Sequence, residues 1–135
     1  MITAIDTSVL LDVFVADADF GEASAHMLRQ CRTEGRLVAC EVVWAEVAGA
    51  FPTPTDAHRA LDVLHVEFAP LDADGALAAG AAWNAYRRRA GKRDRVIADF
   101  LIGAHAATHS DRLLTRDRGF YRSYFAELAV LDPSR

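Results

Sequence analysis

The sequence predicts an α/β fold of three layers, with helices on both faces of a central, mainly parallel sheet of about five short strands. Two observations carry this expectation. Apolar strand-like runs alternate with stretches of helical periodicity from end to end, the pattern that closes into right-handed crossovers and a parallel sheet. Acids stand just past the ends of the first and fourth runs, at Asp6 and Asp117, where open α/β sheets hold their ligands. With 135 residues and 52% hydrophobic content, the chain suits one domain, 1–135, with a real core, and is too short for two ordinary ones.

Taken in order, residues 1–5 form the first strand, and Val9, Leu10, Val13 and Phe14 then recur at helical spacing. Asp6 at this junction reads as a helix N-cap, unless Thr7 or Ser8 takes that place and frees it. Asp12, on the same helix, is expected in solvent. Residues 21–33 read as a helix closed by Gly35, and 37–39 as the second strand. The next helix, 41–51, carries the stripe Val43, Glu46, Val47, Ala50; Glu41 suits a first turn, whereas Glu46 is an acid inside an apolar stripe. Pro52 and Pro54 break the chain, Thr55 is expected to cap a helix to about His65, and 66–71 is the third strand. Asp72 caps an alanine-rich helix, roughly 73–89, that Gly91 ends. Trp44 and Trp83 read as core anchors.

From 96 to 107 the residues leave no polar face, the pattern of a helix buried all round, with Asp99 as the exception. At 3.6 residues per turn Asp99 shares a stripe with Val96, Gly103 and Ala106, so its carboxylate must be neutralised, paired or metal-bound. The fourth strand, 112–115, follows the polar break His109-Ser110-Asp111; after Asp117 come a short aromatic helix, about 121–128, and an edge strand, 129–131.

Composition excludes several classes. Apolar runs such as 76–83 fall far short of the ~20 residues of a membrane span, and the N-terminus has no basic-then-apolar leader, so a cytoplasmic protein is expected. Cys31 and Cys40 form no ligand cluster and read as buried free thiols. The net charge of −4 is segregated: residues 87–122 hold ten basic side chains against four acids, a balance of +6, which leaves −10 elsewhere. Arginine runs are often mere solvated faces, but these flank Asp99 and Asp117, which suits steering a polyanion towards them; Arg93, Arg95, Arg116 and Arg118 are its expected contacts.

Asp6, Glu46, Asp99 and Asp117 each follow a strand or lie on the helix leading from one, and should converge on one sheet edge. Carboxylates at ~5 Å repel by roughly 3 kcal/mol per pair at an effective dielectric near 20, so a cation is required. All-oxygen ligands select Mg²⁺ or Mn²⁺. His105 and His109, spaced i, i+4, offer zinc as a competitor, but Ala106 stands where a zinc protease helix needs its glutamate, and packing roles suit them better.

The segments DTSVLLD (6–12), WAEV (44–47), ADFLIGAHA (98–106) and LLTRDRGFY (113–121) resemble the motifs of PIN-domain ribonucleases, in particular VapC-type toxins of bacterial toxin–antitoxin systems. The resemblance runs nearly end to end with the motifs in order. It implies that Asp6 and Asp99 ligate the metal, that Asp117 completes the site, that Glu46 acts directly or through water, and that Ser8 and Thr115 support the acids. It also implies a homodimer and a cognate antitoxin. Cys40 departs from the family, whose members often place a Ser or Thr helix cap there. The resulting expectation is a Mg²⁺-dependent endoribonuclease in which a metal-activated water, held among four acids, cleaves RNA, with Mn²⁺ able to substitute. Two alternatives stand beside it. One is a Mg²⁺-dependent phosphoryl-transfer or phosphoacceptor domain, disfavoured because Ser8 occupies the position of a phosphatase's second Asp; the other is a non-catalytic module of the same fold.

Overall fold

The computed structural model describes residues 1–89 and 94–134. Its strands are β1 (Ile2–Ile5), β2 (Arg36–Ala39), β3 (Val66–Phe68), β4 (Arg112–Leu114) and β5 (Val130–Leu131). The helices are α1 (Thr7–Phe14), α2 (Gly21–Glu34), α3 (Glu41–Ala48), α4 (Pro54–Val63), α5 (Ala73–Arg88), α6 (Ile97–His109) and α7 (Arg118–Tyr124). All four strand pairings are parallel, and the order is β3-β2-β1-β4-β5. Successive residues of the inner strands are buried, as in Thr3, Ala4 and Ile5 or Leu37, Val38 and Ala39. Burial without alternation means that both faces are covered, so the sheet lies between helical layers as the sequence predicts.

The topology positions the site. From β1 the chain winds outward through β2 to β3, then returns to the other side of β1 for β4, in the register Thr3↔Arg112 to Ile5↔Leu114. Strand order therefore reverses between β1 and β4, and a crevice opens beyond their carboxyl ends. Asp6 and the turn 115–117 lie there.

Several local expectations are corrected. Thr53, not Thr55, caps α4: its side chain accepts the Asp56 N–H at 3.1 Å, and Pro54 fits the first helical position because its missing N–H would have no helical partner. β3 stops at Phe68 instead of reaching residue 71, because the Leu71 N–H turns to the Glu41 carboxylate at 3.0 Å. α3 ends at Ala48, where Ala50 and Phe51 tighten into i→i−3 bonds to Val47 and Ala48. α7 begins directly after Asp117 and ends at Tyr124, earlier than 121–128. The expected stop at Gly91 lies outside the described residues.

α6 is buried from Phe100 to Ala106 apart from a partly exposed Leu101, and Gly103 lets it approach Phe125 so closely that a Cβ would stand 2.3 Å from the ring. All-round burial fails at Ala107, which is exposed, and in the first turn, where Val96 and Ile97 are 59% and 43% exposed. That turn emerges at the crevice. Trp83, Tyr86, Phe100, Phe120 and Tyr124 pack as one aromatic cluster behind it, with neighbouring centroids 5.2–5.8 Å apart. Trp83 and Trp44 are partly buried against the core, and Cys31 and Cys40 are buried free thiols. Among the described residues no helix is long and apolar enough to cross a membrane.

Candidate metal centre

Asp6 is the innermost acid, 8% exposed. It is the N-cap of α1 after all: Oδ1 accepts the Thr7 N–H at 2.8 Å, and neither Thr7 nor Ser8 takes the cap from it. Its second oxygen, Oδ2, accepts the Thr115 hydroxyl at 2.7 Å and lies 3.5 Å from the Tyr121 hydroxyl. The Thr115 Oγ1 in turn accepts the Asp117 N–H at 2.9 Å, so one buried hydroxyl joins the ends of β1 and β4. Cap and site duties thus fall on different oxygens of one carboxylate.

Burial is the main cause that pushes the Asp6 carboxyl up to about 6; the Thr115 and Thr7 hydrogen bonds pull it down, and the charges of Asp99 and Asp117 push it further up. Asp99, half-buried at the third position of α6, is likewise raised by burial first, then by Asp117 and Glu46, against the Val96 N–H and Arg95. Tyr121, fully buried, has its phenol raised by burial and by the negative charge of Asp6, Asp99 and Asp117. Three acids therefore act on one another and on one phenol.

Glu46 reaches the same region by another route than expected. It is exposed, not embedded in an apolar stripe, because the α3 face that carries it turns to the open crevice; its Oε1 accepts the Thr7 hydroxyl at 2.7 Å. Ser8 Oγ is buried and has no hydrogen-bond partner among the described residues. A buried hydroxyl with no partner costs free energy unless a ligand satisfies it. Orphaned hydroxyl and repelling oxygen donors together fit a hard divalent cation. The side chains do not yet close round one: among the described residues no three His, Cys, Asp or Glu groups are arranged to enclose a metal ion. Arg95 stands in the way, paired with Asp117 and 3.9 Å from Asp99.

The expected RNA contacts separate in the structure. Arg93 lies outside the described residues. Arg116 turns from the crevice to Asp12, whose Oδ2 and Oδ1 it reaches at 2.7 and 3.0 Å, with its guanidinium 4.1 Å from the centre of the Phe20 ring. Asp12 is accordingly buried, at 4% exposure, and not in solvent as expected; Ser24 Oγ adds a third bond at 3.0 Å. Arg118 opens α7 beside Asp117. His105 and His109 pack with ring centroids 5.4 Å apart, His105 in the core and His109 Nε2 3.3 Å from Asp72. Sequence reasoning missed Thr7 and Tyr121 as members of the site. The Tyr121 signal was its place at the end of the LLTRDRGFY segment, one turn past Asp117.

Comparison with known proteins is consistent with this geometry. The PIN domain profile matches residues 3–126. The ribonuclease VapC11 of Mycobacterium tuberculosis and a VapC ribonuclease of Mycobacterium bovis are each 36% identical over 121 residues, covering 86% of this chain and 87% of the relative. Among solved structures, the VapBC-1 complex of nontypeable Haemophilus influenzae superposes with a TM-score of 0.76 at 20% identity over all of both chains. VapBC2 of Rickettsia felis, bound to a promoter DNA fragment, gives 0.74 at 16% over 98% of each. By the extent of the profile match and the identity to its relatives, the chain belongs to the PIN-domain family.

Proposed function

We propose that this protein is a Mg²⁺-dependent endoribonuclease and the toxin of a toxin–antitoxin pair, with Mn²⁺ able to replace Mg²⁺. One observation carries the chemistry: Asp6, Asp99 and Asp117 repel one another at the point where strand order reverses, and the Ser8 hydroxyl, two residues on from Asp6, is buried without a partner among the described residues. RNA as substrate and a cognate antitoxin as partner rest on the relatives' names and on the complexes of similar fold. A homodimer and a cytoplasmic location are part of the same proposal.

Asp6, Asp99 and Asp117 would hold the cation. When bound, it supplies positive charge to the scissile phosphate and activates water for in-line attack. Thr115 fixes Asp6 Oδ2 and the Asp117 backbone at once, which holds two ligands in one register. Glu46 keeps Oε1 on Thr7 and is itself exposed, and there it would orient a water and accept its proton. Ser8 Oγ would donate a hydrogen bond to a ligand of that cation. Arg95 and Arg118 remain the candidates for backbone phosphate contacts.

The test is RNA cleavage by purified Asp99→Asn protein in Mg²⁺. A cooperatively folded variant without cleavage supports the assignment, and a folded variant that cleaves like wild type overturns it.

A further inference from the structure

We propose that Arg95 is a built-in counter-ion of the acid cluster, one that a divalent cation must displace, so that this side chain sets the metal affinity of the site. The inference rests on the metal-centre reading above and goes beyond it to a residue outside the ligand set. One guanidinium pairs with Asp117 and lies 3.9 Å from Asp99, two of the three acids assigned to the cation. It is held from behind as well, 4.2 Å from the centre of the Phe120 ring, while its own backbone N–H donates to the Tyr86 hydroxyl at 2.9 Å. These contacts build a seat for the arginine. They also place one guanidinium nitrogen, Nη1, against both carboxylates, so that the arginine takes up the position between Asp99 and Asp117.

A divalent ion held by Asp6, Asp99 and Asp117 would need the carboxylates that Arg95 occupies and would repel its guanidinium. Both cannot be served together. The Asp117 backbone is pinned through Thr115, so the side chain of Arg95 is the part that leaves, swinging over Phe120 towards the exposed first turn of α6. Metal binding then carries the cost of breaking a half-buried ion pair. Removing the arginine charge removes that cost.

The experiment titrates Mn²⁺ into metal-free wild type, Arg95→Gln, Arg95→Lys and Asp99→Asn by calorimetry. Arg95→Gln is expected to bind Mn²⁺ about tenfold tighter than wild type, the scale of one competing ion pair, with Arg95→Lys close to wild type. Unchanged or weaker binding by Arg95→Gln overturns the proposal, because it makes the arginine irrelevant to the ion or a support for it. If wild type and Asp99→Asn bind Mn²⁺ alike, the metal centre itself fails, a different result from failure of the counter-ion alone. A second measurement needs no variant. In wild type, adding Mg²⁺ should move the Arg95 Nε resonance to that of a free guanidinium; an Arg95 signal that stays put while Asp117 shifts overturns the displacement.

Discussion

Asp6 and Asp12 sit at the two ends of the first turns of α1, both buried, and the fold treats them in opposite ways. Asp12 is saturated from within the chain: a two-armed Arg116, a serine hydroxyl, and an aromatic ring behind the arginine. Asp6 receives the Thr115 hydroxyl, the Thr7 N–H and the Tyr121 hydroxyl at a long 3.5 Å, faces two further acids, and has its carboxyl pushed up to about 6. A buried charge that the chain neutralises itself is part of the scaffold. One that the chain leaves short of positive charge marks a ligand site.

The largest expected effect lies on the saturated side. Arg116→Ala leaves Asp12 buried with Ser24 alone, and urea unfolding should show a loss of about 3 kcal/mol. Replacing both partners, Asp12→Leu with Arg116→Met, should cost under about 2 kcal/mol, because no charge is then stranded. An equal loss in the single and double variants would break the contrast, showing packing and not charge to be what matters there.

The opposite sign is expected at Asp6. Its folded carboxyl titrates near 6 against 3.8 when unfolded, so below both values ionisation costs nothing. As pH rises between them the unfolded state loses its proton first and the native state is destabilised, by about 3 kcal/mol above the upper value. Asp6→Asn removes that penalty but weakens the bond to Thr115 by about 1 kcal/mol, which leaves the metal-free variant about 2 kcal/mol more stable than wild type at neutral pH. The advantage should shrink as pH falls through 6 towards 4. Denaturant melts of both proteins at several pH values measure it, and a pH-independent difference would contradict the assigned cause.

How much of this was legible in sequence follows from the range of each interaction. Strands, their parallel order and the four acids are written in local periodicity and in acids after apolar runs, as at Ile5-Asp6. The Thr53 cap was equally local, signalled by Pro54 directly after it, and was misplaced by two residues. Asp12 was not legible, because its partner lies 104 positions away and nothing nearby announces it. Glu46 was read as embedded because helical periodicity gives a stripe but not what faces it; here part of the stripe opens on the crevice. The burial of α6 holds where neighbours cover it and fails at Ala107 and at Val96 and Ile97, where its first turn projects.

The smallest effect is expected at Arg36, which grips Glu67 with two bonds of 3.0 Å, as Arg116 grips Asp12, but in solvent. Arg36→Ala should leave the melting temperature within error of wild type, since exposed pairs are screened and gain little over hydration. A drop comparable to that of Arg116→Ala would mean that geometry, not burial, decides the strength of these pairs.

The central claim, that Asp6 in the β1–β4 crevice has no basic partner among the described residues while Asp12 has Arg116, is tested most directly by melting temperature against Mg²⁺ for wild type, Asp6→Asn and Asp12→Asn at pH 7.5. A ligand bound only by the native state raises its stability with concentration. Wild type and Asp12→Asn should rise by about 5 °C at saturating millimolar Mg²⁺, whatever their starting points, and Asp6→Asn should stay flat. A flat wild type, or an equal rise in Asp6→Asn, would contradict the account.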